Sequence, residues 1–173
     1  SFEYFEDRWE RAKSLNFGES TSVHQSSYIY GDVKVGESTW IGPFTILEGS
    51  GGLKIGKNCS ISAGVQIYTH DTVLKRLSDQ NMGSEMARVS IGDSCYIGPQ
   101  AIITKGVKIG DNTRVSSHSF ICDMVTIGEK CFIGHGVMFT NDLFKDGKII
   151  NDKSRWFETN IGDNVIVGSN STI

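Results

Sequence analysis

The stretch IGDSCYIGPQAIITKGVKIGDNTRVSSHSFICDMVTIGEKCFIGHGVMF, residues 91–139, places an aliphatic or aromatic residue at every sixth position. A second slot, four residues after each of these, is mostly small or β-branched. The sixth positions are Ile91, Ile97, Ile103, Ile109, Val115, Ile121, Ile127, Ile133 and Phe139. An amphipathic helix would need apolar spacings of three and four, whereas a strand buries alternate residues. The rhythm therefore predicts short strands separated by bends.

The same period runs through most of the chain. Earlier hexads start at Val23, Ile29, Val35, Ile41, Leu47, Ile55, Ile61, Ile67 and Val73, and later ones at Ile161, Val167 and Ile173. Three hexads that close a triangle make one turn of a coil, and successive turns stack at about 4.8 Å. We therefore predict an all-β parallel solenoid. Its hexapeptide repeat resembles that of left-handed parallel β-helix proteins, and this resemblance, rather than the spacing, implies the left hand.

Three interruptions mark features outside the regular coil. Two extra residues within EGSGGLKIG, residues 48–56, predict a small bulged corner. Residues 73–90 and 143–160 contain no hexads in register, so we expect each segment to form a loop that leaves the coil. Long excursions from a rigid scaffold are usually functional.

A separate segment, residues 1–21, precedes the regular coil, which we assign to residues 22–173. Within it, residues 2–15 carry one apolar helical stripe, which predicts a helix that caps the open end of the coil. The stripe consists of Phe2, Phe5, Trp9 and Ala12. Because the repeat is still running at Ile173, we expect the natural coil to continue beyond it.

The composition excludes several classes of function. The chain has 17 Lys and Arg against 20 Asp and Glu, and the basic residues are scattered, which argues against nucleic-acid binding. No long apolar run or secretory signal is present, so we expect no membrane span and a cytoplasmic protein. Cys59, Cys95 and Cys131 occupy the small inward slot, where packing is the expected role. No zinc-type spacing occurs, and we expect no metal.

His70 marks the first candidate site. It is the fourth residue of the hexad IYTHDT, where an outward side chain would stand at the mouth of the first loop. Asp71 then occupies an inward slot, which is unfavourable for a carboxylate without a partner, and such a conflict often marks a site. Asn141 and Asp142 fall on the same face three turns along, about 14 Å away, where the second loop begins.

His118 and His135 form a second candidate pair. Counting hexads places them on one face in consecutive turns, so we expect their side chains to be neighbours on the outside. They would bind an acceptor or transfer a proton, unless they are a solvated surface pair.

Two segments resemble known enzymes. YTHDTVLKRLSDQNMGSEMARVSIGDSCYIGPQAIITKGVKIGDN, residues 68–112, resembles the hexapeptide acetyltransferases that modify sugars, such as maltose and galactoside O-acetyltransferases. The resemblance implies that His70 is the catalytic base; Tyr96 stands where these enzymes usually carry tryptophan. SSHSFICDMVTIGEKCFIGHGVMFTND, residues 116–142, resembles the nucleotide-sugar N-acetyltransferases of surface-polysaccharide pathways, whose GHGVxFxND signature it matches. Leu143, Phe144 and Lys145 follow, where those enzymes often have Pro-Arg.

The resemblances imply an acyltransferase that uses acetyl-CoA or a related acyl-CoA, a sugar or nucleotide-sugar acceptor, and a homotrimer with its cleft between coils. We take His70 and His118 as the candidate catalytic residues. Asp71, His135, Asn141 and Asp142 are the candidate substrate-binding residues. As a further hypothesis, Asp71 or a backbone carbonyl fixes the tautomer of His70. The sequence does not identify the residues that contact CoA.

The chemistry leaves two reactions open. A sugar hydroxyl is a poor nucleophile, so a histidine that accepts its proton favours O-acetylation. A sugar amine needs less help, and the GHGVMFTND resemblance favours N-acetylation of a nucleotide-linked amino sugar. No Ser-His-Asp or Cys-His arrangement supports an acyl-enzyme, so we expect direct transfer.

Two other classes share the predicted coil. The γ-class carbonic anhydrases need zinc histidines, one pair of them spaced five apart, but Asp123 stands five residues after His118. A non-catalytic scaffold is the other alternative, because hexapeptide coils also serve as assembly pieces.

Overall fold

The computed structural model describes residues 7–77, 83–141 and 156–173. Its two helices are α1 (Arg8–Ser14) and α2 (Val73–Leu77). The first nine strands are β1 (Ser22–Val23), β2 (Tyr28–Val35), β3 (Trp40–Ile41), β4 (Ile46–Ile55), β5 (Ser60–Ile61), β6 (Gln66–Ile67), β7 (His70–Asp71), β8 (Glu85–Met86) and β9 (Val89–Ile91). The remaining strands are β10 (Tyr96–Ile97), β11 (Ile102–Ile103), β12 (Lys108–Ile109), β13 (Arg114–Val115), β14 (Phe120–Ile121), β15 (Val125–Ile127), β16 (Phe132–Ile133), β17 (Thr159–Ile161) and β18 (Ile166–Val167).

All of these strands except β7 and β8 form the three faces of a left-handed parallel β-helix, as predicted. The first face stacks β1, β3, β5, β10, β13, β16 and β18. The second face contains the N-terminal parts of β2 and β4, together with β6, β11 and β14. The third face contains the C-terminal parts of β2 and β4, together with β9, β12, β15 and β17. Ser22 pairs with Trp40, and Tyr96 pairs with Arg114, so one regular turn takes eighteen residues.

The bulged corner lies where β2 and β4 continue from the second face onto the third. Gly31 pairs with Gly49, but Val33 pairs with Leu53, so β4 contains two extra residues. Gly31 has φ of +81°, a conformation that glycine adopts without steric cost. This confirms the corner predicted from EGSGGLKIG.

The core is a column of aliphatic side chains inside the triangle. Ile61, Ile97, Val115 and Ile133 stack at the first face and are fully buried, as the six-residue period predicts. The small slot is filled by residues such as Thr, Ser and Cys whose side chains bond to backbone carbonyls of the neighbouring turn. Ser119 Oγ, for example, donates to the Gly134 carbonyl at 2.9 Å. Such bonds satisfy the hydroxyl without interrupting the apolar stack, whereas the buried hydroxyl of Thr45 has no hydrogen-bond partner among the residues that the structure describes.

The first loop differs in detail from the prediction. Val73 is not an inward hexad residue but an exposed residue at the start of α2. The coil resumes at Val89 rather than after residue 90, because Val89 and Ile91 pair with Leu53 and Ile55 of the previous turn. At the base of the loop, β7 and β8 form an antiparallel pair that lies outside the parallel sheets.

The second loop, predicted at residues 143–160, lies largely outside the described residues. On its far side, β17 pairs with β15, with Ile161 beside Ile127, so the coil continues in register there. Asp142 is also outside the described residues.

Helix α1 lies against the first strand of the coil. Asp7 caps it by accepting hydrogen bonds from the backbone N–H groups of Trp9 and Glu10. Arg11 donates to the carbonyls of His24 and Ser27, both at 2.7 Å, and Ala12 is buried. Trp9 is half exposed, while Phe2 and Phe5 fall outside the described residues. Among the described helices, none has the length and apolar character needed to cross a membrane.

Candidate active site

The candidate site lies at the corner between the second and third faces. Here Thr69 and Ala87 stand on either side of the first loop in one turn of the coil, and Gly106 belongs to the next turn. Ala87 N donates to Thr69 O, and Gly106 N donates to Ala87 O. Strand β7, which carries His70, begins directly after Thr69, so it leaves the coil at this corner. The geometry agrees with the predicted position of His70 at the base of the first loop.

A buried carboxylate, Glu48, organises this corner. Its side chain is 0% exposed. One carboxylate oxygen accepts hydrogen bonds from the backbone N–H of Thr69 at 2.7 Å and from the Thr69 hydroxyl at 3.0 Å. The other accepts from the backbone N–H of Ser50 at 2.5 Å. Thr69 Oγ1 in turn accepts from Gly51 N at 2.8 Å. The bulged corner thus folds around the Glu48 carboxylate.

The hydrogen bonds determine the charge of Glu48. Burial alone raises the pKa of a carboxyl group, because it disfavours the charged form. Together, the Ser50 and Thr69 donors and the contact with His70 outweigh burial and lower the pKa of Glu48 to about 2. Glu48 is therefore a carboxylate at neutral pH.

His70 is held by this carboxylate. Its Nδ1 lies 2.8 Å from Glu48 Oε2, and its side chain is 33% exposed. The pair is a close electrostatic contact, because Nδ1 lacks the alignment of a full hydrogen bond. A carboxylate beside Nδ1 favours the tautomer that carries its proton there, which leaves the Nε2 lone pair on the far side of the ring as a proton acceptor.

The sequence led us to expect Asp71 or a backbone carbonyl as the partner that fixes the tautomer of His70, but the group that the structure places at Nδ1 is Glu48. Asp71 does not point into the core either. It is partly exposed, its Oδ1 accepts from Val73 N at 3.0 Å, and its Oδ2 forms an ion pair with Lys105. The conflict predicted at this inward slot is resolved because the chain leaves the coil.

Lys105 is the centre of a charge cluster beside the histidine. Its Nζ contacts Asp71, lies 2.7 Å from Asp123 Oδ2 and lies 3.6 Å from Glu85 Oε2. Asn141 Nδ2 bonds to the Asp123 side chain. A chain of contacts through Asp123 and Lys105 thus connects Asn141 to Asp71, the neighbour of His70.

The structure separates the second histidine pair from His70. His118 and His135 lie at the corner between the first and second faces, after β13 and β16, respectively. His135 Nδ1 lies 2.8 Å from Ser117 Oγ one turn away, so the side chain that it bonds is that of Ser117 rather than His118. His118 is exposed and has φ of +59° at the bend. This corner and the His70 corner are different edges of the prism.

The third face carries a row of lysines on its outside. Lys34 pairs in register with Lys54, Lys54 with Ser90, and Ser90 with Lys108. An open groove of about 480 Å³ runs along this face, lined in part by Lys54, Ser90 and Lys108. Like charges on neighbouring strands repel one another, so an anion would stabilise this row.

The cysteine side chains lie in the core of the coil. All four are free and buried. Burial, ahead of the nearby Asp123 charge, raises the pKa of Cys122 to about 11, so it is a thiol at neutral pH. Within the described part of the chain, no group of three His, Cys, Asp or Glu side chains is arranged to hold a metal ion.

Sequence reasoning missed Glu48 and Lys105. Glu48 stands directly after the inward Leu47, in a slot that elsewhere is often glycine. A charged residue at that slot, beside two extra residues, was the available signal. No signal in the sequence pointed to Lys105, because its carboxylate partners belong to three separated segments.

Comparison with known proteins identifies the repeat. The family described as bacterial transferase hexapeptide (six repeats) matches residues 88–123, and the family described as hexapeptide repeat of succinyl-transferase matches residues 158–173. The bifunctional protein GlmU of Syntrophomonas wolfei is 30% identical over 172 residues, covering 86% of this chain and 33% of the relative. The chain therefore spans about a third of the length of the relatives it matches.

Two solved structures share the fold. PerB from Caulobacter crescentus, in complex with CoA and GDP-perosamine, has a TM-score of 0.60 at 16% identity, over 92% of this chain and 58% of that one. The acetyltransferase domain of PglB from Neisseria gonorrhoeae, in complex with acetyl coenzyme A, has a TM-score of 0.58 at 12% identity, over 94% and 60%.

Proposed function

Because this chain belongs to the hexapeptide-repeat acyltransferase family, we propose that it transfers an acetyl or similar acyl group from acyl-CoA to a sugar. The acceptor we favour is a nucleotide-linked amino sugar, and the product an N-acetylated sugar for surface polysaccharide. The observation that carries the proposal is the contact between His70 Nδ1 and the buried Glu48 carboxylate. It prepares a partly exposed imidazole to accept a proton.

The reaction proceeds by direct transfer. The acceptor nitrogen attacks the thioester carbonyl carbon, and the carbon–sulfur bond breaks. His70 Nε2 takes the proton that the nitrogen loses, and Glu48 stabilises the imidazolium that forms. The imidazolium then returns the proton to the departing CoA thiolate. Since burial raises the pKa of Cys122, no thiolate there competes as a nucleophile.

The choice of acceptor rests on two supports. The GHGVMFTND segment resembles nucleotide-sugar N-acetyltransferases, and the structure of PerB, which has the same fold, contains CoA and GDP-perosamine. The alternative is O-acetylation of a sugar hydroxyl. It is favoured by the Glu48–His70 pair, because a hydroxyl needs a base more than an amine does.

For the co-substrate, we assign the phosphates of CoA to the lysine row formed by Lys34, Lys54 and Lys108. Ammonium groups at this spacing supply separate point charges to a phosphate chain. The assignment places CoA along the third face, next to the corner that carries His70.

We further propose a homotrimer. The outside of the second face is largely apolar, with Tyr28 and Met138 exposed and Ile46, Ile102 and Phe120 partly exposed. Gln66 interrupts this column between Ile46 and Ile102. A largely apolar face fits burial against copies of the same chain around a threefold axis. We place the reaction in the cytoplasm, in keeping with four free cysteines.

The test compares His70→Ala with His118→Ala, using thiol release from acetyl-CoA with a panel of nucleotide-linked amino sugars and hydroxyl-bearing sugars. We expect His70→Ala to lower kcat by about 10²–10⁴-fold, more with a hydroxyl than with an amine. His24→Gln, at the capped end, serves as the histidine control. Full turnover in His70→Ala would remove His70 as the base, and loss in His118→Ala alone would move the site to the other corner. No thiol release with any acceptor would favour the scaffold alternative.

A further inference from the structure

Lys105 joins three segments that are far apart in the sequence. Asp71 belongs to β7, Glu85 to β8, and Asp123 to the coil one turn further on. The lysine side chain is only 6% exposed, whereas most lysines in folded proteins are solvated. A buried ammonium group is unfavourable unless it is paired, so its position depends on these carboxylates.

The positions of the three carboxylates depend in turn on Lys105. Without the ammonium group, three carboxylates would face one another in a partly buried space, and their repulsion would push the segments apart. Because Asp71 and Glu85 are register partners in the β7–β8 pair, both sides of that pair are attached to Lys105. The pair would therefore separate from the coil if the charge were lost.

His70 precedes Asp71 on β7 and is the register partner of Met86 on β8. Its Nδ1 must remain within contact distance of Glu48, which is fixed in the bulged corner by Ser50 and Thr69. A small displacement of β7 would break this contact without disturbing the coil itself. The position of the His70 imidazole relative to the Glu48 carboxylate thus depends on how the neighbouring residue, Asp71, is held.

The same ammonium group is linked to Asn141 through Asp123. Asp123, which pairs with Lys105, also receives the Asn141 side chain, and its backbone carbonyl lies 3.3 Å from Asn141 Nδ2. We propose that Lys105 is a positioning residue, which holds His70 against Glu48 and fixes Asn141 in the same site without contacting substrate. This inference rests on the proposed role of His70 as the base.

The experiment compares Lys105→Met and Lys105→Arg with Lys13→Met, which removes an exposed lysine that also has a carboxylate partner, Glu10. In Lys105→Met we expect kcat to fall by about 10- to 100-fold, as displacement of a catalytic group by about 1 Å does, with the KM for acetyl-CoA within about twofold. Lys105→Arg, which keeps the charge, should recover part of the loss. Lys13→Met should leave both parameters unchanged.

Nitrogen NMR of the His70 imidazole, assigned with His70→Ala, separates positioning from simple stability. We expect the His70 resonances of folded Lys105→Met to shift toward a mixture of tautomers. Unchanged resonances and kcat per folded molecule would overturn the proposal. If Lys105→Met does not fold, Asp71→Asn tests the same link, and unchanged resonances there count equally against it.

The two proposals fail differently. If His70→Ala keeps full turnover, the proposed base is wrong, yet a shift of the His70 resonances in Lys105→Met would still establish the link. If His70→Ala is inactive and Lys105→Met is normal by both measures, only the role of Lys105 is wrong.

Discussion

Glu48 Oε2 lies 2.8 Å from His70 Nδ1 at the bulged corner of the coil, and the carboxylate is fully buried while the histidine is partly exposed. The contact joins a rigid part of the scaffold to the strand from which the first loop departs. The two residues differ in their chemistry, because Glu48 carries a fixed charge whereas His70 can change its protonation state. The first two predictions concern this pair.

Replacing Glu48 by Gln removes the charge while keeping the shape of the side chain. The amide would no longer stabilise an imidazolium at His70, so we expect kcat for acetyl transfer to fall at least about tenfold, with little change in KM for acetyl-CoA. Steady-state kinetics by thiol release measure the effect. Glu129→Gln changes an exposed glutamate at another corner and should be neutral; an equal loss there would show that the effect is not specific to Glu48.

The lowered pKa of Glu48 makes stability depend on pH. Its pKa in the folded protein is about 2, below the ordinary 4.5, so the stabilisation is fully present above about pH 4.5 and is lost as pH falls toward 2. The shift corresponds to about 3 kcal/mol near neutral pH. Urea unfolding of wild type and Glu48→Gln between pH 7 and pH 3 should show a free-energy gap that narrows with acidification. A constant gap would mean that the charge of Glu48 does not stabilise the fold.

How far the sequence predicts this molecule depends on whether a feature repeats. Ile97 and Ile103 are buried as expected. Their burial could be predicted because every hexad repeats the same pattern, so one irregular hexad does not hide the period. Glu48 and Lys105 are single occurrences whose partners come from other turns and from the returning loop. The spacing predicted which turns stack, and hence placed Asn141 near the His70 column. It could not predict that β8 would bring Glu85 back to Lys105, because the loop has no period.

The lysine row leads to a third prediction. Lys54 lies between Lys34 and Ser90 on the third face and lines the open groove. If phosphates of acetyl-CoA bind there, Lys54→Glu should raise the KM for acetyl-CoA by about tenfold or more, since it replaces attraction by repulsion, and kcat should change little. Raising the salt concentration should weaken wild-type binding more than that of the variant.

The control for Lys54 is Lys130→Glu, which makes the same charge change at an exposed bend outside the lining of that groove. Titration of both variants with CoA by calorimetry checks the kinetic result. Equal affinities in Lys54→Glu and wild type would remove CoA from the third face.

The last prediction concerns why glycine so often follows the inward aliphatic residue. A Cβ added at Gly98 would lie 2.6 Å from the backbone nitrogen of Ser117 in the next turn, whereas one added at Gly162 meets nothing within 4 Å in this chain. Backbone cannot rotate away as a side chain can, so Gly98→Ala must separate two turns of the coil. We expect it to lower the free energy of unfolding by about 1–3 kcal/mol or more, and Gly162→Ala to change it by less than about 0.5 kcal/mol. Urea unfolding of the two variants, at the same slot of the repeat, measures the contrast; equal stabilities would show that close stacking of turns does not select glycine there.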